Sequence, residues 1–83
     1  MITVKFYGYL SKIAGTKSII TEGSQVQDIL LTIFRDYPEI KEEFEDGQIN
    51  VVADSLSLSF PKDNEKVVEE ELSLLPVIEG GLQ

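Results

Sequence analysis

The run SQVQDILLTIFRDYP at residues 24–38 decides the fold. Val26, Ile29, Leu30, Ile33, Phe34 and Tyr37 recur at steps of three and four. On a helix of 3.6 residues per turn they form one apolar stripe. A helix with a single stripe must lie on something apolar, so the flanking sequence has to supply a matching face. Ser24 followed by Gln27 has the spacing of a capping box, which predicts a helix start at Ser24. Pro38 ends the helix, because its ring pushes Tyr37 out of the helical region.

On either side of this run the period changes to two. Upstream, Ile2, Val4 and Phe6 alternate with Thr3, Lys5 and Tyr7, the pattern of a half-buried strand. Gly8 and Gly15 bracket an irregular connection, and a second strand is expected from Lys17 to Thr21. Strands this close in sequence pair most simply as an antiparallel hairpin. Downstream, Ile40 and Phe44 repeat at i,i+4 in an acidic stretch that Gly47 closes, predicting one or two turns of helix. Ile49, Val51 and Ala53 then share one strand face, and Leu56, Leu58 and Phe60 another, with Asp54-Ser55 as the turn between them. Leu72 and Leu74 alternate with Ser73 and Leu75 in a last strand that Pro76 limits. The order predicts an α+β domain over residues 1–78: a mixed sheet of about five strands packed on one main helix, with a flexible tail at 79–83. Parallel pairing of the first and last strands would make it a β-grasp; the pattern leaves that pairing open.

Composition narrows the function. With 42% hydrophobic residues in 83, one core is expected and disorder is not. The chain has no Cys and no His, which removes disulfides, zinc–thiolate sites, thiol nucleophiles and the commonest general base. Residues 1–21 hold Lys5, Lys12 and Lys17 with no acid, whereas residues 22–83 hold fifteen acids against four basic residues, within a net charge of −8. A phosphate backbone would be repelled, so no nucleic-acid partner is expected. The longest nearly apolar stretch, Ile29 to Phe34, is too short to span a membrane, and no signal segment is read at the start. A soluble cytoplasmic protein is the expectation.

No independent active site is legible. Glu42-Glu43-Glu45-Asp46 and Glu69-Glu70-Glu71 lack the spacing of a calcium loop and read as solvated charge. Ser55, Ser57 and Ser59 have no His to activate them. No bound cofactor or metal is expected. What stands out is the ending Pro76-Val77-Ile78-Glu79-Gly80-Gly81-Leu82-Gln83. Glycines without Cβ make a thin strand that fits a narrow channel and lets another backbone approach closely.

The segment Glu70-Glu71-Leu72-Ser73-Leu74-Leu75-Pro76-Val77-Ile78-Glu79-Gly80-Gly81 resembles the ending of the molybdopterin synthase small subunit (MoaD-type), a ubiquitin-like sulfur carrier. Ile2 to Tyr7, Gly15, Val26 to Leu30, Tyr37-Pro38 and Asp46-Gly47 are similar to other parts of that family, so the resemblance covers nearly the whole chain. It implies a ubiquitin-like β-grasp. It also implies that an E1-like adenylating enzyme, using ATP and magnesium, activates the carboxylate of a terminal glycine. Sulfur then replaces AMP to give a thiocarboxylate, which the large catalytic subunit of molybdopterin synthase uses on a pterin precursor in molybdenum cofactor biosynthesis. By the same resemblance Gly81 is the acceptor, Gly80 its slender approach, and Tyr7, Leu75 and Pro76 contact the partner. The chain itself would be a sulfur donor and not a free-standing enzyme.

Four local departures stand out. Val77 replaces the family's second Pro, Glu69 a Gly, and Asp54-Ser55 an Asn-Gly-type turn. Leu82 and Gln83 follow the Gly-Gly, so Gly81 gains a free carboxylate only once they are removed. Proteolytic trimming or a remnant of expression is preferred to lost sulfur carriage. A ubiquitin-like protein modifier and the thiamin-pathway carrier share the fold and the Gly-Gly, and a passive β-grasp adaptor is a further alternative.

Overall fold

A computed structural model describes residues 1–77. The first strand, β1 (Ile2–Phe6), buries Ile2, Val4 and Phe6 as its alternation requires. It pairs antiparallel with β2 (Ser18–Thr21), Val4 opposite Ile19. The connection between them is not irregular. Tyr9–Ala14 form a short helix, α1, which buries Leu10 completely and packs Ile13 and Ala14 against the core. Gly15 ends it at φ 76, its N–H donating to the Ser11 carbonyl.

The apolar stripe forms α2 (Val26–Asp36), with Val26, Ile29, Leu30 and Ile33 buried. The capping box does not form. The Ser24 carbonyl accepts from Val68 N–H at 2.7 Å, and the Gln27 side chain donates to Gln25 Oε1. Two N–H groups of the first turn, those of Val26 and Gln27, donate instead to the carbonyls of Lys66 and Asn64 at 2.9 Å. A distant loop therefore does the work of a local cap.

Tyr37, at φ −133 and ψ 77, breaks the helix before Pro38. Pro38 then opens α3 (Pro38–Glu45), where its fixed φ and missing N–H cost nothing. Ile40 is fully buried, and Phe44 stands 5.2 Å from Phe34 and 5.3 Å from Phe60 between ring centres. These three rings pack in series against the core, Phe44 between the other two.

Beyond Gly47 run β3 (Ile49–Ala53), β4 (Leu56–Ser57) and β5 (Glu71–Pro76). Asp54 and Ser55 are the two turn residues, both at positive φ (50° and 74°), as a two-residue hairpin turn of the primed kind demands. β4 is shorter than its alternation promised. It is an edge strand of two residues, and Leu56 is exposed, while Leu58 and Phe60 pack against the core from outside any strand. The sheet order is β2-β1-β5-β3-β4, with β1 and β5 parallel and the other neighbours antiparallel. One face carries the helices; the other is open. The mixed five-stranded sheet and its helical cover form an α+β domain of the ubiquitin-like β-grasp type.

Candidate functional site: the corner where the chain leaves the sheet

The parallel register sets the geometry of this corner. Val4 pairs with Leu72 and Phe6 with Leu74, all four buried, so the alternate positions Lys5 and Ser73 belong to the open face. One step on, Tyr7 and Leu75 follow that face. Tyr7 is exposed, its N–H donating to the Leu74 carbonyl at 3.1 Å. Leu75 is half-buried opposite Asn50. Pro76 pairs with Ile49 and comes close to Gly8, and Val77 N–H donates to the Gln48 carbonyl at 2.9 Å. The structure thus gathers Tyr7, Leu75 and Pro76 at one end of the sheet. Gly80 and Gly81, with Leu82 and Gln83, lie outside the described residues.

Charge is uneven around this corner. A groove of about 420 Å³ beside it is lined by Lys5, Tyr7, Gly8, Ser11 and Lys17. Lys5 Nζ also lies 3.3 Å from Glu71 Oε2, a part-exposed pair worth at most about 1 kcal/mol. Toward the other end of the open face, Asp54, Glu69, Glu70 and Glu71 border an acidic cleft of about 380 Å³. Asp54 is not mere surface charge. Its Oδ2 accepts from Glu69 N–H at 2.8 Å, and its Oδ1 from Glu70 and Glu71 N–H at 2.9 and 3.0 Å. Those three bonds, Glu69's first, hold its carboxyl below the usual carboxylate value against a small opposing effect of burial. The clamp ties the β3–β4 turn to the start of β5. The two partners lie too far apart in sequence for any local motif to announce them.

Tyr9 is the second perturbed group. Its hydroxyl donates to Glu43 Oε1 at 2.7 Å, and this bond, then burial, then the Glu43 charge raise its pKa above the ordinary phenol value. The bond joins α1 to α3. Among the described residues, no three acidic or other metal-ligating side chains gather as a metal site, and no helix is long and apolar enough to cross a membrane.

No family model matches the chain, and no curated protein matches it in sequence. Solved structures do. The solution structure of small archaeal modifier protein 1 from Methanosarcina acetivorans is similar with a TM-score of 0.78 and 26% identity, over 96% of this chain and 95% of that one. A molybdopterin converting factor subunit 1 of Pyrococcus furiosus, so described provisionally, aligns with a TM-score of 0.69 and 20% identity over 93% and 97%. The crystal structure of small archaeal modifier protein 1 from Haloferax volcanii gives 0.71 and 23% over 96% and 98%. In fold, the chain stands with the ubiquitin-like β-grasp proteins that include both MoaD-type subunits and archaeal modifiers.

Proposed function

We propose that this protein is the sulfur-donating small subunit of a molybdopterin synthase. The observation that carries the reading is the corner itself. The central β1–β5 pair brings Tyr7, Leu75 and Pro76 together where the chain leaves the sheet at Pro76, five residues before Gly81. A partner that covers this corner receives Gly80-Gly81 at its own active centre. The side chains the domain contributes there bind and orient; the chemistry is done on the glycine carboxylate by other proteins.

In the first step, a carboxylate oxygen of Gly81 attacks the α-phosphorus of ATP on an E1-like enzyme, with magnesium on the phosphates, and pyrophosphate leaves. A sulfur nucleophile then displaces AMP, and the resulting thiocarboxylate is used by the large catalytic subunit. The first step needs a free carboxylate on a residue slender enough to reach the nucleotide. In the 83-residue chain Gly81 is in amide linkage to Leu82, so removal of Leu82 and Gln83 must come first.

The test is ATP–pyrophosphate exchange with the cognate activating enzyme. A form ending at Gly81 is expected to support it and the 83-residue form is not. Gly81→Val in the trimmed form is expected to fail, since a β-branched side chain restricts the backbone and blocks close approach. Equal exchange by both lengths would remove the processing step from the scheme. Activity in neither would leave the passive adaptor as the better account.

One observation favours a second reading. The similar structure at 26% identity is a small archaeal modifier protein, and a modifier uses the same activated carboxylate on lysines. Mass spectrometry of protein from its native cell separates the two. A thiocarboxylate at Gly81 supports the sulfur carrier, and an isopeptide bond from Gly81 supports the modifier.

A further inference from the structure

Gly8 occupies φ 59 and ψ −139, a backbone conformation that glycine alone enters readily. The turn also brings it against the end of β5: a Cβ at this position would stand 2.8 Å from Pro76 Cγ and 3.4 Å from Cδ. On the opposite side Pro76 pairs with Ile49 of β3. Its ring supplies no N–H to either neighbour, and the next residue provides the closing bond, Val77 N–H to the Gln48 carbonyl at 2.9 Å. Gln48 is itself brought there by Gly47 at φ 75, and its own N–H donates to the Glu43 carbonyl at 2.9 Å. Before Pro76, Tyr7 N–H holds the Leu74 carbonyl. The end of β5 is therefore fastened on both flanks, on one side through an approach so close that a Cβ at position 8 would force the Pro76 ring to shift.

We propose that Gly8, with the Gln48 carbonyl, is an exit clamp: a positioning device that fixes where the C-terminal segment leaves the domain. The proposal rests on the reading of Gly81 as the reacting residue. Its consequence is a ruler. Four residues beyond Val77 span at most about 14 Å, so any centre that activates Gly81 must lie within that distance of Val77 when the partner is docked. Fraying of β5 back to Leu74 would lengthen the tether from four residues to seven. Tether dilution alone then costs about twofold, by the −3/2 power of length. Lost aim costs more, because a misplacement of about 1 Å at a reacting centre reaches about a hundredfold.

The variants are Gly8→Ala and Pro76→Ala, each in the form ending at Gly81. The second removes the ring from the contact without touching the special backbone of Gly8, so it serves even if the first does not fold. Amide hydrogen exchange at Val77 and the kcat and KM of ATP–pyrophosphate exchange are read on every folded form. Expected are a roughly tenfold faster Val77 exchange and a kcat about tenfold lower, with KM changed less than twofold. A variant that frees the Val77 amide and keeps the wild-type kcat overturns the clamp. So does a Pro76→Ala effect confined to KM, which would make Pro76 a partner contact only. No exchange by the unsubstituted form ending at Gly81 overturns the sulfur-carrier reading, and the ruler with it; only in that case is the unsubstituted protein inactive.

Discussion

Asp54→Asn isolates the clamp between the β3–β4 turn and the head of β5. The substitution keeps a short side chain that tolerates the left-handed backbone at φ 50, and keeps one oxygen for Glu70 and Glu71 N–H. It turns the other oxygen into an NH₂ facing the N–H of Glu69. It also removes a negative charge from among three glutamates, which by itself would stabilise. The depressed carboxyl decides between these effects, since the three N–H bonds favour the charged form despite the acidic surroundings. A hydrogen bond to a charged group contributes about 1.5–3 kcal/mol when buried. With water able to reach this site, about 1–2 kcal/mol is a fair figure for Asn, and about 2–4 for Asp54→Ala, which loses all three bonds and the short polar side chain that lets Asp and Asn tolerate the left-handed region. Against the roughly 4–12 kcal/mol that a domain of this size has in total, either is large. In urea, at about 1 kcal/mol per molar, the midpoint is expected to fall by about 1–2 M for Asn. The penalty should depend on pH with a definite sign. A folded-state pKa below the unfolded one contributes stability above the unfolded value, near 3.8, and loses it as pH falls through the folded value. Wild type and Asp54→Asn should therefore differ at pH 7 and converge as pH falls well below 3.8. An equal gap at both ends, or none at pH 7, would refute the reasoning.

Three other perturbations test separate parts of the structure. Ile33 is fully buried on α2, so Ile33→Asp should cost several kcal/mol, and a thermal midpoint within a few degrees of wild type would contradict its placement. Leu75→Arg should leave the thermal midpoint nearly unchanged while weakening a large-subunit complex at least tenfold by calorimetry; unfolding would instead put Leu75 in the core. Ser55→Gly should raise stability by about 0.5–1 kcal/mol in urea denaturation, because Ser55 holds φ 74 in a turn where glycine is at ease; a loss would mean its side chain has an unseen role.

The elements legible in the sequence are those whose cause is local. The stripe that opens at Val26 forms a helix as far as Asp36 because 3.6-residue spacing persists over three turns. Leu72 and Leu74 lie inward because strand side chains alternate. Asp54-Ser55 read as a turn from residue type alone. The failures share a cause of the opposite kind. Leu10, Ile13 and Ala14 span too few residues to show a period, and only the surrounding core makes α1 a helix. Ser24 was a reasonable cap until a loop forty residues on offered better partners to Val26 and Gln27. Of the site, Tyr7, Leu75 and Pro76 came from resemblance, and the strand register explains why they meet. Gly8 is legible only as one end of the connection after β1, because its approach to Pro76 depends on where Pro76 arrives in space.

The parallel pairing of Thr3 with Glu71 and Phe6 with Leu74 also has a consequence in time. During synthesis the β1–β2 hairpin and the helices emerge early, but the middle of the sheet stays vacant until the segment that becomes β5 has been made. Closing so distant a pair is the slow, non-local kind of step. The corner borrows Tyr7 and Gly8 from the front of the chain and Leu75, Pro76 and Val77 from the back. A half-made or unfolded molecule displays no such corner. An enzyme that read this corner, as the proposed activating enzyme would, would be inspecting the finished fold before acting on it.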